Sequence, residues 1–262
     1  MGAIFIEKIY VSVLLFIFGC ALGSFLNVLA DRLSHEQSIN GRSYCEKCQH
    51  TLSATDLIPI LSFFILGKRC RYCKQPLSWY YPLSEIITGV AYVLTWIYAP
   101  VSTDIGRIIY VSIVSCLLVI FLADVKYQII PDEMQIALFI CTLLLFLLPG
   151  FTWALLAWKI LAAVMIMLPI LILFLVTKGR GMGFGDVKLA LTIGFLHGIK
   201  NGLLVLYLAF VSGAVIGLAL LLLQKRKLRS KIAFGPFLVF GIVIMLFFPS
   251  QILTILDKIY HI

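Results

Sequence analysis

Charge is scarce in this chain. Of 262 residues, 21 are Lys or Arg and 12 are Asp or Glu, 13% together. Soluble domains carry about a quarter. With 62% hydrophobic residues and a mean hydropathy of +1.07, this excludes an ordinary water-soluble globule. A separate cleavable signal sequence is not expected. The first apolar stretch, Ile9 to Ala30, is long for one, and no small-x-small cleavage site follows it. Ile17-Phe18-Gly19-Cys20 does not read as a lipoprotein site, because the apolar stretch runs on past Cys20. No internal repeat is visible.

Long runs nearly free of charge are abundant, several of eighteen residues or more, each sufficient to cross a bilayer as a helix. The expected fold is all-α: a polytopic membrane helix bundle of about eight transmembrane helices. The spans fall near 9–30, 83–100, 107–124, 134–150, 154–177, 187–200, 202–223 and 235–256. The sixth is short and interrupted by glycine. Pro100, Pro149-Gly150 and His197-Gly198 supply loop chemistry. Gly19-x3-Gly23, Gly194-x3-Gly198 and Gly213-x3-Gly217 would let helices approach closely.

The basic residues orient the chain. With the N-terminus outside, the inner loops are 31–82, 125–133, 178–186 and 224–234. Together with Lys188 they hold sixteen of the 21 basic residues, as cytoplasmic loops do. The cluster Gln224–Lys231 is therefore a topology anchor, and the net charge of +9 does not imply nucleic acid. Two regions are expected: 1–100, with two spans around a polar loop, and 101–262, with six spans.

The polar loop carries Cys45-x-x-Cys48 and Cys70-x-x-Cys73, with 21 residues between the pairs. Each pair can grip one side of a tetrahedral zinc ion, and four thiolates leave no open position for a reacting water. The expected motif is a cytoplasmic zinc-ribbon-like loop with a structural ion, since disulfides rarely persist in that compartment. A membrane thiol oxidoreductase is the rival reading. Cys20, Cys116 and Cys141 lie inside spans and read as buried, inert thiols.

Acidic residues near the membrane are few, and carboxyl groups at that depth are costly enough to be functional candidates. Asp124 ends the third span. Asp186 opens the sixth, after Gly181-Met182-Gly183-Phe184-Gly185. Both fall on the inner side. Two adjacent carboxyls cannot easily both ionise, so one serves as base and the other as acid, the aspartic-protease arrangement. Gly183 and Gly185 would let backbone approach an extended substrate, and Lys188 follows in the same segment. Simpler roles stay open: Asp186 as a helix cap, Asp124 as an interfacial carboxylate. Asp132 is expected to be the N-cap of the following helix, with Gln135 completing a capping box.

Four blocks resemble the type IV prepilin peptidases: Gly23-Ser24-Phe25-Leu26-Asn27-Val28, the double C-x-x-C loop with Ile58-Pro59-Ile60-Leu61-Ser62 inside it, Tyr81-Pro82-Leu83-Ser84-Glu85, and Asp124 with Ile130-Pro131-Asp132 followed by Gly183-Phe184-Gly185-Asp186-Val187-Lys188. The resemblance implies a multi-pass enzyme of the bacterial inner membrane. It would cleave prepilins or pseudopilins after a glycine at the cytoplasmic face, with Asp124 and Asp186 as the reacting pair. It also implies methylation of the new N-terminus from S-adenosylmethionine by the N-terminal region, with Glu85 and Gly89 associated with that step. Ser34, Asp31 and Gln135 depart from the family pattern. An ion-coupled transporter, a thiol oxidoreductase and a non-enzymatic assembly factor are the other classes. A transporter would place its carboxylates near the bilayer midplane.

Overall fold

The computed structural model describes residues 2–148, 150–223 and 233–260, with side chains from residue 9 onward except those of 256, 259 and 260. Gln224–Lys231 and Pro149 lie outside the described residues. The described residues are helical, without named strands. They form two compact units, 1–98 and 99–262.

The first unit pairs α1 (Gly2–Ser34) with α3 (Tyr80–Tyr98). Absent side chains bring them together. A Cβ on Gly19 would sit 2.7 Å from the Gly89 Cα, and one on Gly23 would sit 2.9 Å from the Glu85 Cα. The Gly19-x3-Gly23 pattern is therefore a close-packing face. Asn27 of α1 adds a hydrogen bond, donating from Nδ2 to Ser84 Oγ at 2.7 Å. At the end of α1, the buried Arg32 donates to the carbonyls of Ile39, Gly41 and Arg42. The chain is thereby turned into the long loop, which carries one turn of 3-10 helix (Ala54–Leu57) and the short α2 (Leu61–Ile65).

The second unit contains α4 (Asp104–Tyr127), α5 (Asp132–Leu147), α6 (Trp153–Thr177), α7 (Phe184–Leu222), α8 (Gly235–Phe247) and α9 (Pro249–Tyr260). Thr103 and Thr152 cap α4 and α6 with their hydroxyl oxygens. Gln128 and Lys178 end the same helices in the left-handed conformation. The helix α7 packs along α6 through Gly194 and Gly202. A Cβ on Gly194 would overlap the Ala162 carbonyl oxygen, and one on Gly202 would lie 2.8 Å from Ile166 Cγ1. Gly194→Val is expected to lower thermal stability in detergent by the equivalent of about 1–3 kcal/mol, the usual cost of overpacking. An unchanged melting temperature would refute that packing.

Gly198 has a different role from the one expected. Nothing lies within reach of a Cβ there. Its φ of 76° and ψ of −175° instead break α7. Lys159 of α6 donates to the Leu196 carbonyl at 3.0 Å beside that break, a favourable place for a cation at a helix C-terminus. A Cβ on Gly202 would lie 3.7 Å from the Gly194 Cα, whereas eight residues of unbroken helix would span about 12 Å, so the chain turns back at His197-Gly198 between two helical segments, as expected.

Four described helices are long and apolar enough to cross a membrane: Ile9–Ser34 of α1, α4, α6 and α7. Counting the pair α8–α9, bent by 99°, as one span gives five. The expected eight are not reached by that count. The sixth and seventh expected spans are the two segments of α7 on either side of Gly198, counted together as one 39-residue span. The eighth is broken at Phe248–Pro249. The 16 residues of α5 reach about 24 Å at 1.5 Å per residue, short of a hydrocarbon core of about 30 Å. The helix α3 begins with polar turns and buries Ser84, Glu85, Thr88 and Thr95.

Candidate active site and candidate metal centre

Within the second unit, three helix ends surround two buried carboxyl groups. Asp124 lies in the last turn of α4, 5% exposed. Gln128 folds the chain back by donating its N–H to the Asp124 carbonyl at 3.0 Å. Asp186 is the third residue of α7, 6% exposed. Its Oδ2 accepts the N–H of Gly183 at 3.0 Å; Gly183 is the N-cap, and Asp186 reaches back to it from inside the first turn. That bond uses only one oxygen. Asp186 Oδ1 and Asp124 Oδ2 are both buried with no hydrogen-bond partner among the described residues, a costly state for polar atoms.

The two carboxyls share a neighbourhood. The helix α8 packs on both α4 and α7, and its first residue, Gly235, faces Asp124: a Cβ there would lie 2.6 Å from Oδ2 and 3.3 Å from Ile130 Cδ1. Ile130 also touches Gly185, where a Cβ would lie 3.1 Å from the Ile130 Cβ. The charges of the two aspartates are close enough to act on each other. A side chain at Gly185 would therefore press on Ile130, which would have to give by a few tenths of an ångström. Gly183 is under no such constraint: its φ is −79°, and a Cβ there would make ordinary contact. Sequence reasoning missed Gly235. The Phe234-Gly235-Pro236 start of a helix was legible, but not that it lies against a residue more than a hundred positions earlier.

Asp132 is not the N-cap of α5. Pro131 holds that position without a side-chain bond, and Asp132 is the first helical residue. The capping box is absent, and both amide atoms of the buried Gln135 lack partners. Asp132 instead pairs with Lys188, whose Nζ lies 2.7 Å from each carboxylate oxygen. The pair is exposed (40% and 62%), hence worth about 0–1 kcal/mol.

In the first unit the sulfurs of Cys45, Cys48, Cys70 and Cys73 all lie within 4.8 Å of one another, with Cys45 and Cys73 at 3.9 Å. A tetrahedral zinc ion with bonds of about 2.3 Å sets its sulfurs about 3.8 Å apart, so the four residues fit that ion. The backbone builds the site twice. Cys45 donates its N–H to the His50 carbonyl, and Gln49 donates to the Cys45 carbonyl. Cys70 and Gln75, then Lys74 and Cys70, repeat both bonds. Gln49 and Lys74 share a positive φ (58° and 59°). The bridges Tyr44–Thr51 and Arg69–Pro76 close the two turns alike. This is a structural repeat with an offset of 25 residues, which the two C-x-x-C pairs and Leu52-Ser53 with Leu77-Ser78 also carry in sequence, so the chain does hold one short internal repeat. Hydrogen bonding from the Cys73 amide, aided by that of Tyr72, lowers the Cys70 thiol to about 7. Burial works against the charge of Asp56, but Ser53 and the Arg71 guanidinium outweigh it and hold that carboxyl below its usual range.

Two family models match the chain. Residues 17–99 match the bacterial peptidase A24 N-terminal domain, and residues 111–218 match the type IV leader peptidase family. A protein of Aeromonas hydrophila named prepilin leader peptidase/N-methyltransferase is 30% identical over 254 residues, covering 86% of each chain. One of the same name from Bacillus subtilis (strain 168) is 29% identical over 254 residues, 94% of this chain and 97% of that one. The chain belongs to the type IV leader peptidase family. No solved structure matches it.

Other residues of this peptidase-family chain have evident structural duties. Glu85 is buried and accepts the N–H of Ile60 at 2.8 Å. Gly89 leaves room for Phe16 and Cys20 of α1, each within 2.8 Å of where its Cβ would stand. Cys20 is buried as expected. Cys116 and Cys141 are half-buried, so they are less enclosed than expected.

Proposed function

We propose that this chain cleaves the leader peptide of prepilins or pseudopilins with Asp124 and Asp186 as its acid–base pair, at the cytoplasmic face of the bacterial inner membrane. The observation that carries the reading is the pair of partnerless carboxyl oxygens held together by α4, α7 and α8. Both stand at helix ends rather than in mid-span, which disfavours an ion pathway. With one carboxyl ionised and the other protonated, the carboxylate removes a proton from water as its oxygen attacks the scissile carbonyl carbon. The protonated carboxyl donates to the carbonyl oxygen. When the C–N bond breaks, the proton held by the first carboxyl passes to the departing amine. The pair then titrates as a unit.

The N-terminal region, 1–100, is proposed to transfer a methyl group from the sulfonium of S-adenosylmethionine to the amine so released. Glu85 and Gly89 enter that region through packing and loop attachment. Cys45, Cys48, Cys70 and Cys73 would hold zinc, which supplies structural cross-linking when bound. Gly183, Gly185 and Lys188 border the peptidase site, where an extended substrate would pass. Membrane lipid surrounds the spans, and nucleic acid is not a partner in this reading.

The test is cleavage of one prepilin in membranes containing equal amounts of each variant. Asp132→Asn is expected to retain cleavage within a few-fold, because it loses only an exposed ion pair. If Asp132→Asn is inactive while Asp124→Asn is active, the pair has been assigned to the wrong aspartate. Cysteine-accessibility labelling checks orientation. Modification of Cys45–Cys73 only from the outer face would overturn the cytoplasmic placement.

A further inference from the structure

The loop between α1 and α3 is polar in composition, yet part of it is strongly apolar and uncovered. Leu61, Phe64 and Ile65 of α2 are 59%, 53% and 77% exposed, and Trp79, just before α3, is 55% exposed. Phe63 packs tilted, and Phe64 edge-on, against Trp79 at centroid distances of 5.0 and 5.9 Å, and the Lys68 ammonium lies 4.6 Å over the Trp79 ring. Soluble surfaces rarely expose so many large apolar side chains together.

The position of this patch identifies what covers it. Ile60, immediately before α2, donates its N–H to Glu85. Glu85 is five residues into α3, about 7 Å along the axis. The segment is thus pinned beside the second turn of a helix packed on the membrane-spanning α1, and does not stand free above it. The attachment is forced. Ile60 has φ 62° and ψ −53°, and the Leu61 N–H reaches back to the Pro59 carbonyl at 2.5 Å. This is the rare, strained hand of γ-turn, costly for a β-branched residue. Strain of this kind persists only where surrounding contacts hold it.

We infer that residues 57–66, with Trp79, form a wedge that lies in the headgroup–acyl boundary of the same leaflet into which α1 and α3 run. Trp at that depth and a Lys reaching outward are the usual interfacial pair. Lys68, Arg69, Arg71 and Lys74 follow α2 within ten residues, complementing an anionic lipid surface. Glu85 is the positioning residue for the wedge, and through it for the cysteine knuckles on either side.

The experiment uses full-length protein in vesicles of phosphatidylethanolamine and phosphatidylglycerol. Cys20, Cys116 and Cys141 are replaced by Ala, zinc protects the four loop thiols, and one nitroxide is placed at Ile65→Cys or, as control, at Thr55→Cys. Relaxation by oxygen, which concentrates in lipid, is compared with relaxation by a polar nickel chelate. The oxygen-to-nickel ratio at position 65 is expected to exceed that at position 55 several-fold, and Glu85→Gln, which keeps an oxygen acceptor for Ile60, should preserve it. Glu85→Leu should lower it. A nickel response at 65 equal to that at 55 overturns the wedge. So does an immobile label reached by neither agent, which would mean that protein covers the patch. Leader cleavage is not read, so the outcome is independent of the peptidase reading.

Discussion

Asp124→Asn and Asp186→Asn are each expected to remove leader cleavage, lowering the rate by at least about a thousandfold, within the range that acid–base groups supply. Asparagine preserves volume and polarity, so the buried cluster around Ile130 and Gly235 should stay packed. It can neither take a proton from water nor give one to the leaving amine. Because the two groups act as a unit, the double variant should be no slower than either single one. The measurement is the cleaved fraction of one prepilin over time at matched membrane levels. Full cleavage by Asp186→Asn would end the two-carboxyl mechanism. A double variant much slower than both singles would show that the aspartates act independently. Gly235→Ala offers a milder perturbation of the same pair. Its methyl would press on Asp124 Oδ2 from 2.6 Å, and slowed cleavage with unchanged protein level is the expected result.

Cys70→Ser is expected to empty the metal centre. Structural zinc in small cysteine sites is worth about 10–16 kcal/mol at neutral pH. Otherwise the loop has two short helical turns, isolated bridges, the Asp56–Arg71 pair and the bond from Ile60 to Glu85. Elemental analysis should fall from about one zinc per chain to none, and protease should then cut between residues 42 and 77, where intact protein resists. Methylation should be lost while cleavage by the second unit persists. Wild-type protein without metal, isolated under reducing conditions and with a protected loop, would show that the sulfurs need no ion. Loss of cleavage along with the metal would show that the peptidase requires the loop.

The membrane character, the two carboxyls and the four sulfurs were legible because each is written locally: apolar runs, an aspartate beside a glycine cluster, paired C-x-x-C spacings. What escaped depends on distant contacts. Gly235 closes over Asp124 only because α8 packs between α4 and α7. Asp132 reads as a cap from its neighbours, and the pull of Lys188, 56 residues on, is absent from that window. The twofold likeness of the knuckles is written in Cys45, Cys48, Leu52 and Ser53 against Cys70, Cys73, Leu77 and Ser78, but the matching backbone bonds are not. The span count failed where helix length and breaks mattered more than hydropathy. Gly198 separates two apolar runs in sequence and breaks the helix between them, while α5 is simply too short.

The glycine seam between α6 and α7 also limits how the second unit can move. With the Gly194 backbone set against Ala162 and Ala163, the front half of α7 cannot slide or roll on α6 without collision, so Asp186 rides on a stiff two-helix strut. Asp124 faces the start of α8, a 13-residue helix with a seam of its own on α7, where a Cβ on Gly241 would lie 2.6 Å from the Val205 carbonyl oxygen. A polypeptide entering between the carboxyls therefore meets close-packed helices on both sides.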